Sequence, residues 1–397
     1  MSFQDCKKVI FEAVSICDTE IISVRQSMGR VLAEDLTVSR DYPDTNLSAV
    51  DGYAVRFGSD FCFKNRGVVA AGQLPDFKLE SGECAAVMTG ATVPEGTDCV
   101  VRVEDCIETD GIVKTQTDLR SGVLINKSAF EASAGKALAR KGLRIKHSLY
   151  PSLFYAGISQ VKVYKQPKVG VLMTGNELRE VESGAAKGQV FNTNFYIIES
   201  VLNAIGLDCL YRESVPDDEA ATRKALETMA DKCDFIISSG GVSMGRFDFI
   251  KKVFNQTDFS LIIQGTPIKP GRPLMVAKRE NKLFFGIPGY PAAFFVNTLL
   301  YLVPALKIAC GRIDHEHQLF NAILTTPTRS REGRLYLNRI KLQLEKGQWT
   351  AQDVESQKTS HFLNFAEVNG LAYLPETVGN LDTGAIIQAL HFDIELS

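Results

Sequence analysis

The segment PIKPGRP (267–273) sets two cations, Lys269 and Arg272, among three prolines and a glycine. Proline-stiffened backbone lowers the ordering cost of presenting both charges to an anion. A guanidinium adds a planar fork suited to oxyanions. Two cations alone are equally the make-up of a solvated surface. In SSGGVSMGRFD (238–248), Gly240, Gly241 and Gly245, with Ser243 between them, allow backbone N–H groups to approach a phosphate-like anion closely. The stretch matches neither the Walker pattern nor G-x-G-x-x-G, so a tight strand-to-helix turn is an equal reading. Asp248 is either an acid favoured by a helix N-terminus or, beside a phosphate, a ligand for an intervening divalent cation. Glu177 in MTGNEL reads by itself as a solvated loop acid, and Asp217 and Asp218 in SVPDDE read as helix caps. Pro288 and Pro291 punctuate FFGIPGYPAA (284–293). NLSAVDGYAV (46–55) puts Asp51 in an Asp-Gly turn, and VMTGATVPEGTDCVVRVED (87–105) puts Thr89 and Gly90 after a strand. Each of these two alone is ordinary hairpin chemistry.

The elements that must carry these residues follow from periodicity. Between about 166 and 312, apolar strand-like runs (KVGVLMTG, CLYRES, DFIISS, KLFFGIPG) alternate with amphipathic helices, the pattern of a parallel sheet with crossovers. In such sheets ligands bind at the carboxyl ends of the strands, where the candidate loops fall. Thr193 or Asn194 is expected to cap a helix that Gly206 stops, PDDEAATRKALETMA is a helix with acid in its first turn, and 291–309 is the last helix. Residues 3–17 show helical spacing behind Ser2, EIISV is a short strand, and MGRVLAEDL is a second helical piece. From about 53 to 147 short runs such as RGVVAAG, ECAAVMTG and DCVVRVED indicate an all-β insertion. Beyond 313, RLYLNRIKLQL, GLAYLPE and AIIQAL indicate a small β domain.

Bulk properties bound the function. A chain of 397 residues implies two to four domains, and 45% hydrophobic with 23% charged residues is an ordinary globular composition. A net charge of -3 and a pI near 6.1 argue against a broadly basic nucleic-acid surface. The N-terminus lacks a signal-peptide apolar run, and FFVNTLLYLVPALKIAC (294–310) carries Asn297, Pro304 and Lys307, which favours a buried helix over a membrane span. Nine cysteines without a C-x-x-C pair suggest a reducing cytoplasm. His315 and His317 in DHEHQ are expected to be solvated rather than metal ligands.

Taken together and in order, SAVDGYAV, MTGATVPEGTDCVV, GVLMTGNEL, NTN, DFIISSGGVSMGRFDF, GTPIKPGRPLMVA and GIPGYPAA resemble the molybdopterin molybdenumtransferases, relatives of the gephyrin E domain, over nearly the whole chain. The resemblance implies a multi-domain α/β plus β fold. Its parts would be an N-terminal helix (1–17) packing with the α/β domain, a discontinuous linker domain (18–45 with 147–165), a β-rich insertion (46–146), a molybdopterin-binding α/β domain (166–313) and a C-terminal β-barrel (314–397). It further implies a cytoplasmic homodimer with its cleft between subunits, fed by a molybdopterin adenylyltransferase, with no nucleic acid and no membrane. The implied reaction inserts molybdate into adenylated molybdopterin and releases AMP with the help of Mg²⁺. On this resemblance Lys269, Arg272, Arg339 and Ser360 match molybdate contacts. Glu177, Asp217 and Asp248 match the acids around the metal, while Gly240, Gly241, Ser243, Gly245, Pro288 and Pro291 match the substrate loops. Asp51 and Thr89 match a turn that reaches the cleft of the neighbouring subunit.

The match departs at INKSAFEASAG, where Glu131 replaces an Asp and arginines are missing, leaving Lys127. It departs also at Tyr290 for Asn, Ala293 for a hydroxyl residue, Arg272 for Lys and Val50 for Met. Besides the transferase, three readings remain open: a tungstate-preferring paralogue, a non-catalytic scaffold or carrier, and an ATP-using adenylyltransferase. The β insertion and barrel disfavour the last.

Overall fold

Ser2 opens the first helix, α1 (Phe3–Ala13), through a capping box: its hydroxyl accepts from Asp5 N while the Asp5 carboxylate accepts from Ser2 N. In the computed structural model, which describes residues 1–240, Val253 and 257–396, the helix stops at Ala13 rather than at 17, because Val14 turns extended. The chain divides into two units, Met1–Glu34 with Gly142–Pro151 and Ile158–Ser397, and Asp35–Lys141 with Ser152–Gly157.

In the first unit, β1 (Thr19–Ser23) pairs antiparallel with β2 (Gln160–Tyr164). MGRVLAEDL is not helical as expected: Val31 and Leu32 form bridges to Arg144 and Val163, so long-range pairing overrides the helical spacing. The α/β segment follows as β3 (Val169–Thr174), α2 (Thr193–Ile205), β4 (Cys209–Val215), α3 (Glu219–Lys232), β5 (Phe235–Ser239), β6 (Ser260–Gln264), β7 (Ile268–Lys269), β8 (Met275–Arg279), β9 (Lys282–Ile287) and α4 (Pro291–Ala309). Its sheet runs β4-β3-β5-β9-β8-β6, the first four strands parallel and the last two antiparallel to their neighbours. Gly206, in the left-handed region, ends α2 as expected, and Asp218 caps α3 by accepting from Ala221 N at 2.8 Å. Asp217 is not a cap. The N-cap of α2 is Asn192, one residue earlier than expected, and its amide turns away to Glu180.

The barrel comprises β10 (Phe320–Leu324), β11 (Leu335–Glu345), β12 (Gln348–Asp353), β13 (Gly370–Leu374) and β14 (Ile386–His391). β11 pairs with both β12 and β13, which closes five strands into a ring, and β7 adds to it alongside β11. One apolar core joins α1, the sheet, α4 and the barrel through Phe3, Ile10, Val171, Phe285, Leu299, Leu337 and Leu390. α4 is long and apolar enough to cross a membrane by length and composition, but its side chains are buried in this core. Midway it widens into a π-turn, Thr298–Leu302, ahead of Pro304. Pro304 has no N–H for the Leu300 carbonyl, and His317 Nε2 donates to that oxygen instead at 3.0 Å. His317 is therefore not solvated as expected. Its Nδ1 meets the Glu395 carboxylate at 2.7 Å.

Lys307 of α4 is buried, with its Nζ donating to Glu395 O at 2.6 Å; burial first, then repulsion from Arg312, lowers its pKa from 10.5 to about 8. Between those values the unfolded chain keeps the proton that the folded chain has released, so stability rises with pH across the window. The stability of the natural chain relative to Lys307→Met is expected to increase between about pH 7 and about pH 10, measured by denaturant titration. A pH-independent difference contradicts this.

The second unit is a six-stranded sheet in the order Cys99–Arg102, Gly52–Val55, Glu83–Val87, Cys62–Val69, Ile112–Thr115, Cys106–Thr109. Alternation along it sends Ala54, Val87 and Val100 to one cluster and Tyr53, Val55 and Val101 to another.

Candidate active-site cleft

The parallel register brings Met173 of β3, Ser239 of β5 and Ile287 of β9 abreast, so three strand ends open onto one edge. A cleft of about 910 Å³ lies there, lined by Thr174 and Glu177 after β3, Ser239 and Gly240 after β5, and Pro288, Gly289, Tyr290 and Pro291 after β9. Asn194, buried in the first turn of α2, donates to Ser239 Oγ at 2.6 Å and to Gly289 O at 2.7 Å, locking two of these loops to each other. The opposite wall is the segment 189–193, whose Val190 and Phe191 pair in parallel with Leu178–Arg179. Glu180 braces that wall: it accepts from Arg212, and from Asn192 Nδ2 and Tyr196 Oη at 3.3 Å each. Arg212, stacked 3.5 Å from the Phe195 ring centre, is the main reason the Glu180 pKa is held below its ordinary value.

The acids sit at the mouth. Gly175, at φ 152°, lets the Glu177 carboxylate fold back over it; a side chain at 175 would meet Glu177 Oε2 at 2.7 Å. Asp217 is tied to the same loop, accepting from Asn176 N at 3.3 Å while Asp217 N donates to Asn176 Oδ1 at 3.2 Å. Asp217 is thus tied to the loop that carries Glu177. Asp248, Gly241, Ser243 and Gly245 lie outside the described residues.

The cationic loop is rigid for nonlocal reasons. Gly265 N donates to Leu274 O at 2.7 Å and Thr266 N to Arg272 O at 2.9 Å, closing its base. β7 pairs with β11, placing Lys269 beside Tyr336 with its Nζ 5.2 Å from the ring centre. Asn297, fully buried in α4, donates to Gly271 O at 3.0 Å and to Ala293 O at 2.9 Å. Gly271 has φ 118°, and a Cβ there would fall 2.3 Å from Asn297 Nδ2. Lys269 and Arg272 are exposed, and among the described residues neither side chain has a hydrogen-bonded or ion-paired partner, while Pro273 of the same loop lines the cleft.

Arg339 requires a correction. It is 1% exposed on β11, and its guanidinium donates to Gln357 Oε1, Ser356 O, Lys358 O, His361 O and Asn364 Oδ1. All five N–H groups are thereby committed within the protein, so none remains for an oxyanion. Arg339 holds the segment that carries exposed Ser360. In the second unit, Asp51 Oδ1 accepts from Thr89 N at 2.7 Å and Thr89 Oγ1 at 2.9 Å, and these bonds lower its pKa. At the divergent stretch, Glu131 accepts from Tyr155 Oη at 3.0 Å.

Sequence reasoning missed Asn194, Asn297 and Glu180. The signal for Asn297 was present, since an amide inside an apolar helix needs a partner.

Family models match all three parts of the chain: MoeA N-terminal region (domain I and II) at residues 1–157, probable molybdopterin binding domain at 170–308, and MoeA C-terminal region (domain IV) at 321–392. A molybdopterin molybdenumtransferase of Haemophilus influenzae is 31% identical over 93% of each chain. One of Staphylococcus epidermidis is 26% identical over 97% of this chain and 93% of its own. The crystal structure of a molybdopterin biosynthesis MoeA protein from Pyrococcus horikosii superposes with a TM-score of 0.87 at 28% identity, covering 99% of both chains. Because the likeness runs through every part of the chain and includes the segment that builds the cleft, the chain belongs to the molybdopterin molybdenumtransferase family.

Proposed function

We propose that the protein inserts molybdenum, delivered as molybdate, into adenylated molybdopterin, with cleavage of the phosphoanhydride and release of AMP. The observation that carries this reading is the pair of unpartnered cations held on a rigid loop whose Pro273 lines a 910 Å³ cleft with acids at its mouth. Molybdate is a tetrahedral dianion, and fixed charge-assisted donors favour it over water. Because Lys269 and Arg272 are already positioned by backbone pairing and by Asn297, little ordering cost falls on binding. The apolar wall at Val190 and Phe191, with Tyr290 at 61% exposure, offers flat contact to a ring system.

Phosphoanhydride cleavage depends on positioning and charge neutralisation. Glu177 and Asp217 present hard oxygen donors from adjoining loops, a set that fits Mg²⁺, which takes one or two carboxylates and completes its shell with water and phosphate oxygens. When bound there, Mg²⁺ neutralises phosphate charge. The backbone turn at Gly240, fixed by its N–H to Ile287 O at 3.0 Å, gives the phosphates a close approach to the main chain. In this reading the protein works in the cytoplasm as a homodimer, downstream of an adenylyltransferase, and Asp51 and Thr89 serve the cleft of the neighbouring subunit.

Glu177→Gln and Asp217→Asn are each expected to raise the Mg²⁺ concentration needed for half-maximal AMP release by roughly tenfold or more, from loss of about 1.4 kcal/mol or more of ligand interaction. An unchanged Mg²⁺ dependence in both variants contradicts the metal assignment.

A further inference from the structure

Three guanidinium groups converge away from the cleft, where Gly29, Arg30 and Arg144 meet the end of α2 at Gly206 and the end of α4 at Cys310 and Arg312. Arg312 is paired with Asp314 through two bonds of 2.7 Å. Arg30 donates to Glu20 Oε1 at 2.5 Å and to Tyr164 O at 2.8 Å, but its Nε is buried without a hydrogen-bond partner. Arg144 is in no ion pair among the described residues, and its one hydrogen bond runs from Nε to Gly29 O at 3.3 Å. Three guanidinium groups therefore face two carboxylates, leaving one positive charge unmatched.

The carbonyls at the two helix ends accept from other donors, and among the described residues none of them is bonded to Arg144. Leu202 O takes Leu207 N at 2.9 Å and Gly206 O takes Gln166 Nε2 at 2.5 Å. Leu306 O and Lys307 O take Cys310 N and Arg312 N, each at 3.0 Å. The cavity between these groups measures about 20 Å³, room for one water-sized body and too little for a tetrahedral oxyanion. The remaining lining combines apolar Val31, Ile205 and Leu207 with Cys310, Tyr164, whose carbonyl accepts from Arg30, and Gln166, whose amide nitrogen donates to Gly206 O, so the guanidinium N–H groups are the main charged donors turned to it. A water satisfies such a site only as an acceptor, while an anion accepts from every side. Burial first, then the Arg312 charge, lowers the Arg144 pKa, and the Asp314 carboxylate offsets only part of this.

We propose that this cavity binds a monatomic anion of the chloride class, held by Arg144 with Arg30 and Arg312. The ion fastens segments 29–31 and 143–145, already joined by Gly29 N to Ile145 O at 2.9 Å and Ile145 N to Arg30 O at 2.8 Å, to the ends of α2 and α4.

The test uses the full chain. Crystals grown with bromide in place of chloride are expected to show an anomalous peak within hydrogen-bond distance of Arg144. At constant ionic strength, replacing gluconate by chloride is expected to raise Tm saturably in the natural chain and not in Arg144→Gln. A water at the position with no anomalous signal, or an equal chloride response in both chains, overturns the assignment. If Arg144→Gln does not fold, the bromide peak decides alone.

Discussion

Replacing Lys269 and Arg272 together by Met is expected to lower oxyanion-dependent turnover by roughly 10²–10⁴-fold, the equivalent of two charge-assisted hydrogen bonds at about 1.5–3 kcal/mol each. The fold should survive, because both side chains are exposed and the loop is held by other groups: the β7–β11 pairing, the Gly265 to Leu274 bond and the Asn297 amide. Methionine keeps an unbranched apolar stem at 269 while removing the charge that lies 5.2 Å from the Tyr336 ring centre. The distinguishing readout is kcat/KM for the oxyanion against Tm. A large kinetic loss with a Tm change of less than a few degrees supports an anion-binding role. Equal loss of both, or no kinetic loss, contradicts it.

Arg339→Met is expected to behave in the opposite way. It leaves the His361 carbonyl and the Asn364 side-chain oxygen without their donor, while Ser356 O keeps Asn364 Nδ2, Lys358 O keeps His361 N and Gln357 Oε1 keeps the backbone N–H of residue 339. Each buried unsatisfied group costs about 1–3 kcal/mol, and with relaxation and water offsetting part of the sum for these two, a total of about 2–4 kcal/mol is expected. Arg339→Lys should not restore stability, since an ammonium has three donors and cannot span five acceptors set around a planar fork. A direct oxyanion ligand would show the reverse pattern, a raised KM at nearly constant Tm. Denaturant unfolding of both variants separates the two roles.

The contrast between these two segments shows what the chain reveals by itself. The groups that hold the loop carrying Lys269 and Arg272, β11 and Asn297, lie elsewhere in the chain, but the loop was legible in part because proline and glycine mark a turn locally. The caps at Asp218 and Gly206 were legible for the same reason, each acting within a few residues of itself. MGRVLAEDL misled because its spacing is helical while its partners, Arg144 and Val163, lie more than a hundred positions away. Arg339 misled for a related reason: the resemblance matched it to a molybdate contact, and only the fold of 356–364 around it shows that its donors are spent. His317 read as solvated because the sequence does not show that Pro304 leaves a carbonyl needing a donor from outside the helix. Asn194 and Asn297 belong to the same class, since each serves loops from other parts of the chain.

The same dependence leaves the backbone at 289 independent of the side chain at 290, one of the positions where the match departs. Tyr290 occupies the N-cap position of α4 with no capping bond, and Asn194 fixes the adjacent Gly289 carbonyl without using the 290 side chain. The loop keeps its place while its exposed surface changes.

The decisive measurement of insertion is AMP release from adenylated molybdopterin in saturating Mg²⁺, followed without oxyanion, with molybdate and with tungstate. Release is expected to depend on molybdate. Release stimulated only by tungstate would change the oxyanion, and binding of the adenylated substrate with no oxyanion-dependent release would contradict the insertion reaction itself.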